Sequence, residues 1–222
     1  MTNLELWGDL NGLHIRAFRD FTEPKSKFHL TPNEFYIYSL INLMERTGGS
    51  ALLSISIIDQ LLPLNFFTNS TRNRKAIISL LEALRDKKVI VSNIQDFKVL
   101  KANTLFTVSV NEEYINENAK IKGYFQLPAI LFLNSSKIID LFIYSVVCKW
   151  QLKREGFKCS YSRWGEILSL SRRSAITHIK SAVEREVIYQ KQDLNGEHNV
   201  NVYTVKLIKN KKRKGDSDVK TK

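Results

Sequence analysis

Two short segments of the chain concentrate side chains that can hydrogen-bond to phosphates and to the edges of nucleic-acid bases. Arginine can contact a guanine through two parallel hydrogen bonds, asparagine can do the same with an adenine, and serine or threonine at a helix start can hold a phosphate beside exposed N–H groups. The first segment contains Asn69, Ser70, Thr71, Arg72, Asn73, Arg74 and Lys75. The second contains Ser171, Arg172, Arg173, Ser174, Thr177, His178 and Lys180. Both predict a partner that presents phosphates and base edges.

Each segment begins a predicted helix whose opposite face is apolar. Ser171 is a good N-cap because its hydroxyl can accept a hydrogen bond from an unpaired N–H group, and Arg173 and Thr177, four residues apart, project together. The apolar face comprises Ile176, Ile179 and Val183 in this helix and Ile77, Leu80, Leu81 and Leu84 in the earlier one. Basic residues in a first turn oppose the helix macrodipole, so binding explains these cations better than helix stability does.

The two helices occupy corresponding places in an internal repeat of roughly 100 residues, a period that suits a duplicated domain. FYIYS (35–39) matches LFIYS (141–145), and SISIIDQLL from Ser54 matches SYSRWGEIL from Ser160 at the same offset. TRNRKAIISLLEALRDKKVIVS then corresponds to RRSAITHIKSAVEREVIYQ, with about five residues missing from the second copy's turn. LFTVSV (105–110) corresponds to VYTVKL (202–207). Four blocks in one order predict a duplication.

Each copy has the pattern of a helix, a short helix, a longer helix and a β-hairpin. The longer helices give way to β-branched runs at 89–91 and 187–189, and Asn195-Gly196 precedes an extended segment, which is a typical hairpin signal. This order resembles the winged-helix fold, a helix-turn-helix followed by a two-stranded wing. The resemblance implies a mostly α protein with small β-hairpins (α+β), built from two winged-helix domains in tandem.

The repeat sets the predicted domain boundaries. We expect an N-terminal extension at 1–27, a first winged-helix domain at 28–110, a polar linker at 111–124, a second winged-helix domain at 125–208 and a basic disordered tail at 209–222. The extension carries an apolar patch that we expect to pack on the first copy or on a second subunit. Its members are Leu4, Leu6, Trp7, Leu10, Leu13 and Ile15.

The charge balance favours a polyanionic partner, because the formal net charge is +12 and the pI about 9.7. Residues 206–222 contain eight Lys or Arg and two Asp, so half of this excess lies near the C-terminus. No apolar run approaches the roughly 20 residues of a membrane helix. The start of the chain lacks the basic region of a secretory signal, and Cys148 and Cys159 form no CxxC pair. We therefore expect a cytoplasmic protein without a membrane partner.

The sequence offers no recognisable catalytic, metal or cofactor site. It has no GxxxxGK[ST] loop for a nucleotide and no His-hydrophobe-His motif of the kind that rolling-circle nickases carry. His14, His29 and His198 share no metal-ligand spacing, and none lies near either cysteine. We expect a protein that is not an enzyme, needs no cofactor and binds no small-molecule substrate.

Two segments carry a further resemblance. LTPNEFYIYSLI is similar to the first helix of Rep-type initiators, and YFQLPAILF resembles the start of other plasmid replication proteins. The resemblance implies that each unit reads one major-groove segment of a repeated origin in double-stranded DNA. It implies a replication initiator or replisome-organising protein of a plasmid, phage or other mobile element, with a second copy or replication proteins as partners. A transcriptional regulator of a mobile element, or a segregation protein or interaction adaptor with one DNA-binding unit, remain alternatives.

Overall fold

The computed structural model describes residues 12–45, 49–62, 70–135, 137–151, 156–192 and 201–206. Within these ranges, α-helices alternate with short strands that form three small antiparallel sheets, which confirms the predicted α+β class. No helix among them combines the length and the apolar character needed to cross a membrane. Most of the predicted apolar patch of the N-terminal extension, the Asn195-Gly196 turn and the basic tail lie outside the described residues.

The elements follow one another in two similar series. The first contains β1 (His14–Phe18), a 3-10 helix (Arg19–Thr22), α1 (Pro32–Glu45), β2 (Ala51–Leu53), α2 (Ile55–Leu61), α3 (Ser70–Asp86), β3 (Ile90–Ser92), a second 3-10 helix (Phe97–Val99), β4 (Phe106–Val110) and α4 (Glu112–Asn118). The second contains β5 (Tyr124–Pro128), α5 (Ala129–Asn134), α6 (Ile138–Gln151), β6 (Phe157–Cys159), α7 (Tyr161–Leu168), α8 (Arg172–Glu184), β7 (Tyr189–Gln192) and β8 (Asn201–Thr204).

The predicted repeat is present in the structure as two units of the same topology. Unit 1 runs from α1 to β4 and unit 2 from α6 to β8, and their sheets have the equivalent strand orders β2-β4-β3 and β6-β8-β7. Ser54 caps α2 by accepting from the Ile57 N–H, and Ser160 caps α7 by accepting from the Arg163 N–H, both at 3.2 Å. Residues 62–69 separate α2 from α3, whereas only 169–171 separate α7 from α8. The shorter turn expected in the second copy is therefore confirmed.

One block of the repeat has a register that differs from the predicted one. The sequence pattern matches Val108 with Val205, but Val108 pairs with Ala51 while Tyr203 pairs with Phe157, the equivalent of Ala51. Val108 thus corresponds to Tyr203, two residues away. A shift of two residues keeps every side chain on its own face of a strand, so the apolar pattern could not reveal the error.

The predicted apolar stripes of the two long helices are only partly correct. In α3, Ile77, Leu81 and Leu84 are completely buried and Leu80 is half-buried. In α8, the completely buried residues are Ala175, Ile179 and Ala182, whereas Ile176 and Val183 are half-buried. Small alanines allow α8 to approach the rest of unit 2 closely, so the larger apolar residues flank the contact instead of filling it.

The N-terminal segment and the connector between the units are integral parts of the fold. β1 pairs with β5 in an antiparallel register from His14↔Pro128 to Phe18↔Tyr124, and Ile15 is completely buried. The Asp20 carboxylate, 1% exposed, accepts hydrogen bonds from the Lys120 and Ile121 N–H groups at 2.8 Å and from the Ser26 hydroxyl at 2.9 Å. The polar pattern of the predicted linker did not indicate α4, which buries Ile115.

Candidate nucleic-acid interface

One face of α8 presents a row of polar and basic side chains to solvent. Arg173, Thr177 and Lys180 follow one another at helical spacing and are all exposed, as is Arg172 in the first turn. Among the described residues, no ion pair engages these three cations, and the Thr177 hydroxyl donates only to the Arg173 carbonyl at 3.3 Å. Their charged groups are therefore available to a ligand.

The start of α8 is fixed by the cap that the sequence predicts. The Ser171 hydroxyl accepts from the Ser174 N–H at 3.1 Å and lies 3.0 Å from the Ser174 hydroxyl. Both serines therefore build the helix terminus, which leaves the N–H groups of Arg172 and Arg173 without a partner inside the helix. These N–H groups and the two guanidinium groups lie at the positive end of the helix dipole, where an anion is stabilised.

A tight turn sets the angle between α7 and α8. Ser169 ends α7 in the left-handed conformation at φ 55°, and its N–H bonds back to the Glu166 and Gly165 carbonyls. A Cβ at Gly165 would lie 2.9 Å from the Leu170 carbonyl oxygen and 3.5 Å from the Arg172 nitrogen. The residue type at position 165 thus determines how closely the first turn of α8 approaches α7. Gly165 is not among the residues predicted from the sequence, although a glycine close before a three-residue turn is a signal of close helix approach.

His178 does not join the exposed row of α8. It is half-buried, and burial is the main cause that lowers its pKa below 6.5, followed by the nearby positive charge of Lys137. Arg185, which follows the last residue of α8, donates to the buried Asp140 carboxylate of α6 at 2.6 and 3.2 Å. His178 therefore faces the start of α6, while Arg173 and Lys180 face solvent.

The predicted set on α3 is divided by contacts within unit 1. Arg72, Lys75 and the additional Ser79 are exposed on one face. The Asn73 amide donates to the Asp59 carboxylate at 2.8 Å, and the Arg74 guanidinium donates to the Leu100 carbonyl at 2.5 Å. Ser70 and Thr71 belong to α3, but their side chains, and Asn69 altogether, lie outside the described residues.

The second half of α3 holds the loop between β3 and β4. Glu82 accepts from the Phe97 N–H at 2.7 Å and pairs with Arg85, and Arg85 also donates to the Gln95 carbonyl. The equivalent of Glu82 in unit 2 is the exposed Lys180, because the buried stripes of the two helices match at the same spacing. At this position unit 2 therefore presents a cation to solvent, where unit 1 has a carboxylate that binds its own loop. Exposed Lys98 and Lys101 add charge to the loop of unit 1, although neither is among the residues predicted from the sequence.

The two thiols of the described part of the chain lie in a defined, buried environment, and its potential metal ligands are not clustered. No group of three or more His, Cys, Asp or Glu there could hold a metal ion. Burial raises the pKa of the Cys148 thiol to about 11 and that of the Cys159 thiol to about 12, so both are protonated at neutral pH.

Acid is expected to destabilise the fold through two histidines. Burial lowers the pKa of both His29, whose Nε2 donates to the Ile167 carbonyl at 2.9 Å, and His178 below 6.5. Because the unfolded chain then binds more protons than the folded one, the free energy of unfolding should fall as the pH drops through 6.5. Urea unfolding at pH 7.5 and pH 5.5 measures this effect.

The matched control for this prediction is the double variant His29→Gln and His178→Gln. Glutamine keeps a donor for the Ile167 carbonyl but does not titrate, so the stability of the variant should depend less on pH over the same interval. An equal fall in wild type and variant would show that other groups carry the acid sensitivity.

Comparison of the chain with protein families, with curated proteins and with solved structures gives no match.

Proposed function

We propose that the protein binds double-stranded DNA through two winged-helix units in tandem, and that α8 of unit 2 supplies the main sequence-reading surface. The observation that carries this proposal is the row formed by Arg173, Thr177 and Lys180, exposed beside Arg172 on a helix that begins with a cap and a tight turn. An α-helix fits the major groove, and arginine and threonine can distinguish bases there.

The arrangement of the elements supports the winged-helix part of the proposal. Each unit has a helix, a strand, two further helices and two final strands, and the sheet places the last strand in the middle. In this interpretation α7 and α8 form the helix-turn-helix, while β7 and β8 form the wing. Lys191 and Gln192 are exposed at the C-terminal end of β7, where a wing can contact the phosphate backbone.

Unit 1 plays a different part in the proposal. Two of its candidate base-reading side chains, Asn73 and Arg74, already bond within the unit, which leaves Arg72 and Lys75 as exposed cations on α3. An exposed arginine can read a guanine in a second major-groove segment, and an exposed lysine can contact the phosphates beside it. We therefore assign to unit 1 a second and weaker reading contact, on the segment next to the one that unit 2 reads.

For the biological role, we propose replication initiation on a plasmid, phage or other mobile element, without catalysis by this chain. The support is the resemblance of LTPNEFYIYSLI to Rep-type initiators, together with two non-identical units in one chain. In vitro selection of duplexes with the full chain, followed by location of the selected sequence in its replicon, tests the role. Repeated sites at an origin would support it, and one site at a promoter would indicate a regulator instead.

Replacing Arg173 with alanine is expected to weaken binding to the selected duplex by about 1–3 kcal/mol, or roughly 5- to 150-fold. The change removes a guanidinium that can form two hydrogen bonds with one guanine, so discrimination at a single base position should also relax. Fluorescence anisotropy titrations at one fixed salt concentration measure both effects on the selected duplex and on its single-base variants.

The matched control for Arg173→Ala is Lys122→Ala, which removes an exposed cation of the connector that belongs to neither α3 nor α8. This variant should bind the selected duplex within about twofold of wild type, since a remote single charge contributes little. Equal losses for the two variants would show that net charge, and not α8, determines affinity. Circular dichroism should be unchanged in both, because exposed substitutions rarely alter folding.

A further inference from the structure

We infer that the two units are parts of one rigid body, so that the DNA site must hold two segments at a single fixed spacing that one chain contacts together. This inference rests on the proposed function and adds a property of the DNA that each unit alone would not require. Domains joined by small polar contacts usually move relative to one another, so a rigid body requires extensive contacts between its units.

The first such contact is a strand pair that belongs to neither repeated sheet. β1 precedes unit 1 and β5 precedes unit 2, and the two pair over five residues. Backbone bonds lengthen the ladder at both ends, from the Ala129 N–H to the Leu13 carbonyl and from the Arg19 N–H to the Gly123 carbonyl. Because β5 leads directly into α5, this ladder joins the beginnings of the two units through backbone hydrogen bonds.

The second contact is an aromatic interface between the first helices of the units. The Phe35 and Phe142 rings meet edge to face with centroids 5.3 Å apart, and both side chains are completely buried. Tyr36 stacks on Phe132 at 4.4 Å, and burial raises its pKa above the usual value. The buried side chains of the two units form one continuous core. Such an interface resembles the interior of a domain, which is closely packed and resists sliding.

The third contact is directional and involves a buried cation. Lys149 of α6 is 6% exposed, and its ammonium donates to the Arg19 carbonyl and the Thr22 hydroxyl, both at 3.0 Å, and to the Glu23 carboxylate at 2.5 Å. A rotation of unit 2 would separate these partners and leave a buried charge without compensation, which is strongly unfavourable. A hydrogen bond from the His29 ring to the Ile167 carbonyl at 2.9 Å joins the segment before α1 to α7.

These contacts have a direct consequence for α3 and α8, which cannot change their separation to suit the DNA. B-DNA turns once in about 10–10.5 base pairs, roughly 34–36 Å. An insertion of five base pairs between the contacted segments would move one of them to the opposite face of the duplex. An insertion of ten would restore the face but displace that segment by about one helical turn. A rigid protein fails on both duplexes, whereas a flexible pair of units would tolerate at least the longer insertion.

The experiment uses the full chain and changes only the DNA. Duplexes are selected in vitro, the two contacted segments are located by hydroxyl-radical footprinting, and one, five or ten base pairs are inserted between them. We expect all three insertions to lower affinity by about 100-fold, the typical contribution of a second linked contact, and to leave protection of one segment only. Affinity within threefold of the parent duplex after the ten-base-pair insertion would overturn the rigid arrangement and leave DNA binding intact.

Two further outcomes are distinguishable. A parent duplex with a single undivided protected segment would also overturn this inference, because unit 1 would then lie off the DNA. Failure to select any duplex would overturn the proposed function itself. In that case urea unfolding, followed by tryptophan fluorescence and by circular dichroism, tests the rigid arrangement. One transition shared by both signals supports it, and two separate transitions contradict it.

Discussion

Replacing Asp20 with alanine is expected to lower the free energy of unfolding by about 3–4 kcal/mol, because a buried acceptor of several hydrogen bonds would be lost. The carboxylate accepts from the Lys120 and Ile121 N–H groups and from the Ser26 hydroxyl. Each lost hydrogen bond to a charged group costs roughly 1.5–3 kcal/mol, and water can replace part of this loss because the donor residues are partly exposed. Urea denaturation monitored by circular dichroism measures the change.

Two control variants test whether the loss in Asp20→Ala comes from the buried hydrogen bonds. Asp20→Asn retains one carbonyl acceptor in the same shape, so it should cost only part of the alanine effect. Asp86→Ala removes a carboxylate whose side chain is 70% exposed, and it should change stability by less than about 0.5 kcal/mol. If Asp20→Ala were as mild as Asp86→Ala, the connector would not depend on this carboxylate. An Asp20→Asn loss as large as the alanine loss would point to the charge instead of the hydrogen bonds.

The parts of the fold that the sequence predicts correctly depend on local patterns. The sequence predicts Ser171 as an N-cap, because a serine before an apolar helix stripe can accept from the N–H group three residues later. The structure contains this hydrogen bond, from the Ser174 N–H to the Ser171 hydroxyl. The offset between the copies likewise places Ser54 and Ser160 at the same helix start. Interactions across three or four residues leave their signature within a short window, so composition and spacing suffice to identify them.

The features that the sequence could not predict depend on distant partners. β1 pairs with β5 across more than a hundred residues, and three- to five-residue strands have no distinct period of their own. Arg74 looks like a ligand-binding cation, but it bonds the Leu100 carbonyl, and Asn73 bonds Asp59. Residue type indicates that a group can bind a phosphate or a base, but only the tertiary structure decides whether it is free to do so.

Replacing Gly165 with valine is expected to lower the free energy of unfolding by about 3 kcal/mol and to weaken binding to the selected duplex. Even a single Cβ would lie 2.9 Å from the Leu170 carbonyl oxygen, a backbone atom that moves only if the turn before α8 opens. Glycine is intrinsically poor inside a helix, so a stabilising effect of the larger residue would be expected if there were no such contact. Urea unfolding and anisotropy titration of the same preparation measure the two losses.

The equivalent position in unit 1 provides the matched control and the physical test of this explanation. Position 59 is an aspartate in α2, so a Cβ is already accommodated there, and eight residues lie between α2 and α3 where three lie between α7 and α8. Asp59→Val should therefore cost only the hydrogen bond to Asn73, about 1 kcal/mol.

At neutral pH and without denaturant, the Gly165→Val protein should bind the duplex less well than wild type even if it remains folded, because an opened turn displaces Arg172 and Arg173 together. Normal affinity in a folded Gly165→Val protein would mean that α8 does not need its present angle, and the assignment of α8 as the reading helix would then fail.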